Sequence, residues 1–133
     1  MKRLLIAVVI LVLGGCAAKT SPERHSLYYA RHDPTMMGGN YASRPDATAK
    51  TNLPAYQQIY TLGQDAKAKG LTPAQAQSVA DDIYKVNANA TNGTETFMDL
   101  KDHKTQITRD KRATQLWGQT LKDTFLDGYN GIN

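Results

Sequence analysis

The sequence predicts a small all-α domain of three to four helices, and three observations predict it. Apolar residues recur every three or four positions through most of residues 53–129, the repeat of a helix with one buried face. The punctuation between these stretches is that of helix starts and stops. No run alternates polar with β-branched residues as a half-buried strand does. The chain has 133 residues and a mean hydropathy of −0.50, which fits one small domain and excludes a multispanning membrane protein.

Residues 1–15 read as a signal peptide rather than as part of the fold. Met1-Lys2-Arg3 is a short basic start, followed by an unbroken apolar run over residues 4–13. That run is well short of the about 20 residues needed to cross a bilayer, and it has the length of a secretory signal core. Leu13-Gly14-Gly15-Cys16 closes it. Small residues before a cysteine, in register with the apolar run, resemble a bacterial lipobox. The lipobox implies cleavage between Gly15 and Cys16 and covalent lipid on Cys16. A single acyl chain binds a membrane only reversibly, so stable anchoring needs more than one, as lipoproteins carry. Ala17 and Ala18 follow, without the Asp that retains enterobacterial lipoproteins at the inner membrane. The expected address is therefore the outer membrane, with periplasmic and surface exposure both open. Cys16 is the only cysteine, so no disulfide staples the domain.

Residues 16–52 read as the lipidated cysteine and a mostly disordered, flexible tether. They hold Pro22, Pro34, Pro45 and Gly38-Gly39 and few aliphatic residues, too little apolar surface to offset the entropy of ordering. Within them, Ser21-Pro22-Glu23 has the form of an N-cap with Pro at the first helical position. It predicts a short helix over 22–32, which stops before Asp33-Pro34 and can dock through Leu27, Tyr28 and Tyr29.

The helical domain is expected over 53–129. Its first helix starts near Asn52-Leu53-Pro54, carries Tyr56, Ile59, Tyr60, Gly63 and Ala66 on one stripe, and ends at a left-handed cap on Gly70. The second has the clearest local signal. Thr72 stands at the N-cap, Pro73 at the first helical position and Gln75 at the third, a capping box. Ala76, Val79, Ala80 and Ile83 follow as its stripe. Residues 87–94, with Asn92-Gly93, read as a turn. The last segment, 95–127, carries Phe97, Leu100, Ile107, Thr114, Trp117, Leu121 and Phe125 near one face. A break near 103–108 is expected to divide it into two helices, Gly128 ends the second, and 130–133 form a tail.

Charge and motifs exclude several function classes. The formal charge is +4, and half of that excess resides in Lys2 and Arg3 of the signal segment. Lys101, Lys104, Arg109, Lys111 and Arg112 alternate with Asp99, Asp102 and Asp110, a solvated mixed face and not a nucleic-acid footprint. His25, His32 and His103 lack metal-ligand spacing, so no metal is expected. Ser21, Ser26, Ser43 and Ser78 sit in no nucleophile elbow. A cell-wall glycosidase needs two acids across a cleft. Asp99/Asp102 and Asp123/Asp127 have helix-face spacing and read as surface acids. No catalytic residue is assigned, no cofactor beyond the lipid on Cys16 is expected, and the chain is not expected to be an enzyme.

Tyrosine is the more suggestive feature, since the seven Tyr outnumber the two Phe and one Trp together. Tyr has an apolar body and a polar tip and is enriched at interfaces. Tyr56, Tyr60 and Tyr84 lie on apolar stripes and read as core-edge residues. Tyr28, Tyr29 and Tyr129 lie outside the strong stripes and are candidate partner contacts, together with Asp127 and Gly128 of the chain's ending.

The order of these pieces carries a resemblance. The lipobox precedes Tyr56-Gln-Gln-Ile-Tyr-Thr-Leu-Gly63-Gln-Asp-Ala-Lys-Ala-Lys-Gly70-Leu71-Thr72, then Ala74-Gln75-Ala76-Gln77, and the chain closes on Thr124-Phe125-Leu126-Asp127-Gly128-Tyr129-Asn130-Gly131. This is similar to the small enterobacterial lipoproteins grouped with the colicin-plasmid entry-exclusion lipoprotein family. The resemblance covers most of the chain after Cys16, and residues 85–115 carry no matching motif. It implies an outer-membrane lipoprotein with a non-enzymatic binding role, plasmid exclusion, and no catalytic residues. The bilayer, through acylated Cys16, and an envelope protein are the expected partners, without direct nucleic-acid binding. The alternatives are a structural or assembly lipoprotein of an envelope complex and, further off, a cell-wall enzyme or its inhibitor.

Overall fold

The structure, a computed structural model, describes residues 18–37, 44–90, 92–96, 104–108 and 110–133. The segment 1–15 that reads as a signal peptide, the expected Gly15–Cys16 cleavage site and the expected lipid site Cys16 lie outside the described residues, as do Phe97, Leu100 and His103. Four α-helices make up the bundle: α1 (Ser21–His32), α2 (Pro45–Ala68), α3 (Pro73–Ala88) and α4 (Lys111–Asn130). A single 3₁₀ turn, Pro34–Met37, follows α1, and an antiparallel pair, β1 (Asn92–Thr96) and β2 (Lys104–Thr108), stands between α3 and α4. The all-α class expected from the sequence is the class observed, with this small hairpin added.

Helix α4 is the hub. It packs against α1, α2 and α3, whereas α2 and α3 barely meet each other. Two of its glycines explain how close the approach is. A Cβ on Gly128 would collide with the carbonyl of Tyr60, and one on Gly63 of α2 with the carbonyl of Phe125, so these helices cross backbone to backbone. At the other end, a Cβ on Gly118 would stand 2.9 Å from the Tyr84 carbonyl oxygen of α3. The core between the helices is small and built from short side chains: Ala66, Ala76 and Ala80 around Phe125 and Tyr129. Ile59, Leu71, Ile83 and Leu126 cover it partly.

Several boundaries differ from expectation, each for a physical reason. Residues 21–37 and 45–52 are not disordered tether. Pro22 and Leu27 of α1 are buried, and Ser26 Oγ donates to the Ala49 carbonyl of α2 at 2.6 Å. Helix α2 starts at Pro45 and runs through Pro54, which the sequence suggests as a helix start. Packing of α1 along the first turns of α2 supplies what the local composition lacks. Residues 87–94 are not one turn, because α3 continues to Ala88 and β1 opens at Asn92. The segment 95–127 is not two helices. Residues 95–96 close β1, 104–108 form β2, and one helix begins at Lys111, where Asp110 Oδ1 accepts from the Arg112 and Ala113 amides. Nor does Gly128 end that helix. It lies inside α4, and Gly131, in the left-handed region at φ 71°, is the cap. The Gly70 cap is observed as expected, at φ 78°.

Candidate functional site

The densest polar constellation lies where α1 meets the C-terminal end of α4. The helix repeat brings Ser21, Arg24 and His25 to one face of α1. Thr20 and Glu23 fix the start of that helix: the Glu23 carboxylate accepts from the Thr20 amide at 2.7 Å and from its hydroxyl at 3.0 Å. These bonds hold the Glu23 carboxyl below its ordinary pKa, the backbone amide contributing most. On α4, Asp127 receives all three side chains. Ser21 Oγ donates to Asp127 Oδ2 at 2.7 Å, His25 Nε2 lies 3.0 Å from the same oxygen, and the Arg24 guanidinium stands 3.6 Å away. Arg24 also donates to the Lys19 and Asn133 carbonyl oxygens, each at 2.9 Å.

A serine, a histidine and an aspartate in contact invite a catalytic reading, and the wiring contradicts it. A nucleophile needs its base on the hydroxyl, with the acid behind the base. Here the acid holds the serine and the histidine side by side on one oxygen, and Ser21 is fully buried. The set is a clamp that fastens the first helix to the last. Among the described residues there is no group of three or more His, Cys, Asp or Glu able to hold a metal ion, and no helix long and apolar enough to cross a membrane.

The candidate contact residues divide sharply. Tyr28 is 50% exposed, its ring stacked on His32 with centroids 4.1 Å apart. Tyr29 is half-buried, edge-on to Trp117 at 4.9 Å, with its hydroxyl donating to Asp33 Oδ2 at 3.1 Å. The other three have partners within the fold. Asp127 is the clamp just described, and Gly128 is buried in the α2 crossing. Tyr129 is 4% exposed, its hydroxyl donating to the Leu71 carbonyl at 2.7 Å and its ring beneath the Lys67 ammonium at 4.8 Å. Each is taken up by the fold because its partner comes from a distant part of the chain. Tyr56 is more deeply placed than the core edge expected for it. It is fully buried, its hydroxyl 2.8 Å from Thr120 Oγ1, and burial pushes its phenol far above the ordinary tyrosine range.

The surface that sequence reasoning missed is the end of the bundle around the clamp. There Arg24 of α1 reaches Asn133, Lys67 of α2 lies over Tyr129, and Ile132 follows α4 with 49% of its surface exposed. No local signal marks this end, because three separate stretches build it. A shallow apolar groove of about 260 Å³ opens nearby between α2 and α3, over Leu62, Leu71, Val79 and Ile83. A wider cleft of about 420 Å³ separates α1 from the start of α2.

The fold and the clamp define a four-helix domain with its first and last helices pinned at one end. Comparison with known proteins finds no matching family model, no similar curated protein and no similar solved structure.

Proposed function

We propose that this protein is a lipid-anchored lipoprotein of the bacterial outer membrane with a non-enzymatic binding role, and that the role is plasmid exclusion. One observation carries the anchor: the basic start, the apolar run over 4–13 and Leu13-Gly14-Gly15-Cys16 stand in register. The resemblance of residues 56–77 and 124–131 to the exclusion lipoproteins supports the role. The wiring of Ser21, His25 and Asp127 supports a binding protein over a hydrolase, since these three residues are committed to holding helices together. The exposed Tyr28–His32 stack is aromatic surface of the kind that protein interfaces use. The partners in this reading are the bilayer, through acylated Cys16, and an envelope protein of the recipient cell. It assigns no cofactor, metal or direct nucleic-acid contact.

The test is plasmid uptake by conjugation into recipients that carry the wild-type protein, the Cys16→Ala variant or an empty vector, with fatty-acid labelling of the same cells. The expected result is label on the wild-type protein alone and reduced uptake in that strain alone. Equal uptake in all three strains overturns exclusion, and a wild-type protein without label overturns the anchor.

A further inference from the structure

The apolar groove between α2 and α3 exists because both helices pack on α4 and barely meet each other. Leu62 of α2 and Val79 of α3 line it, 51% and 38% exposed, with Leu71 and Ile83 half-buried beside them. The only charges on this lining are Asp65 and Lys69, one turn apart on α2. Apolar side chains gathered in one concavity and rimmed by polar groups mark a binding surface. We propose that a second copy of this chain docks here, the two α2 helices lying antiparallel about a two-fold axis that passes between Asp65 and Lys69. The contact does not depend on whether Cys16 carries lipid.

The charges choose the occupant. Asp65 and Lys69 have the spacing at which an acid and a base on one helix pair with each other. Yet neither side chain has an ion-pair or hydrogen-bond partner among the described residues. A partner of one charge sign gains from one of them and loses from the other. A second copy turned about a two-fold axis gains from both, because each Asp65 faces the other copy's Lys69 and the contact is made twice. The same register suits the apolar residues. Leu62 lies five residues from the midpoint of Asp65 and Lys69, about 7.5 Å along the helix. The two-fold therefore carries it across to Thr72 of the other copy, beside Leu71 at the end of the groove. Lys67 rests on the Tyr129 ring, on the opposite side of α2, and does not enter the contact. A single groove of about 260 Å³ with two ion pairs makes a small, reversible interface rather than an obligate one.

The experiment is photo-crosslinking of the full chain in intact cells, with a benzophenone amino acid at Gln58 or, for comparison, at Tyr28. Gln58 is exposed on α2 beside Leu62, and Tyr28 is exposed on α1. The expected product has twice the mass of the chain, forms from Gln58 and not from Tyr28, and is joined to residues 69–83 by mass spectrometry. Asp65→Lys and Lys69→Asp each turn two attractions into two repulsions, and each is expected to weaken self-association on the order of tenfold. Leu62→Glu is expected to weaken it by at least about as much. All three positions are exposed, so the variants are expected to keep the wild-type thermal midpoint. Differently tagged copies of Asp65→Lys and Lys69→Asp, expressed together, are expected to recover the product as a mixed pair, because every acid again faces a base. Docking of a second copy is overturned by the absence of a product of twice the mass, by products with other proteins alone, or by equal yields from Gln58 and Tyr28. A mixed pair no stronger than either variant by itself overturns it as well.

Discussion

At the scale of single residues, the glycines of the helix crossings set the tolerance of the fold. Gly63 and Gly128 face one another's helix with no room for a methyl group, and the obstacles are backbone carbonyls rather than flexible side chains. Gly63→Ala or Gly128→Ala is expected to cost about 3 kcal/mol or more, because the helices must part. Urea unfolding of the two variants measures it, and a loss below about 1 kcal/mol in both refutes the backbone-contact account. Tyr56 makes the opposite case. Its hydroxyl meets Thr120, whose own oxygen also lies 3.0 Å from the Leu116 and Trp117 carbonyls. Tyr56→Phe removes one buried hydrogen bond without stranding its partner, so a cost of about 1 kcal/mol is expected in the same measurement.

At the scale of elements, the capping box of α3 and the clamp of α1 differ in kind. Thr72 and Gln75 exchange hydrogen bonds within four residues, and Thr72→Ala is expected to cost about 1 kcal/mol, read from the thermal midpoint. The Asp127 clamp joins residues a hundred positions apart. Asp127→Ala is expected to raise amide exchange across residues 21–32 while leaving α3 and α4 protected, as local opening of one element does. Equal loss of protection in all four helices would show instead that α1 belongs to the common cooperative unit. The same contrast explains what was legible beforehand. Thr72-Pro73-Ala74-Gln75, Gly70 and the 22–32 helix are encoded by neighbours in sequence, and the structure has them. The sequence suggests a start near Asn52-Leu53-Pro54 rather than Pro45, because Pro54 resembles a helix start and the contact that helps order 45–52 comes from Ser26. Tyr129 looked available for a partner because nothing beside it announces Leu71, 58 positions away. The hairpin was missed because its strands carry no alternation of apolar and polar residues for a period-2 reading to find.

At the scale of the whole molecule, charge limits stability on both sides of neutrality. Asp81 reaches across from α3 to Lys122 of α4 at 2.7 Å, and that bond, seconded by Gln77, holds its carboxyl below the ordinary range. Asp110 is held low chiefly by the Arg112 amide, and Glu23 by the Thr20 amide. Carboxyls with depressed folded-state values stabilise fully above the unfolded value of about 4 and lose that contribution as pH falls through the folded one. Tyr56 works in the other direction. Its raised phenol keeps the folded chain protonated while an unfolded chain ionises near pH 10, so stability falls as pH rises beyond about 10. Thermal melts across pH are expected to give a plateau with an acid limb below about pH 4 and an alkaline limb above about pH 10. Asp81→Asn should shallow the acid limb, and Tyr56→Phe the alkaline one. Limbs unchanged in both variants would assign them to other groups.

The central position of α4 has a consequence for how the chain is made. The helix that every other helix leans on is the last one synthesised. Before residue 111 leaves the ribosome, α1 lacks its clamp, α2 and α3 have almost nothing to say to each other, and the alanines of the core have no Phe125 to surround. A chain delivered N-terminus first can pair α1 with α2, but the full bundle closes only when the final turns arrive. In the exported lipoprotein proposed above, that delay would leave the full bundle to close only after translocation.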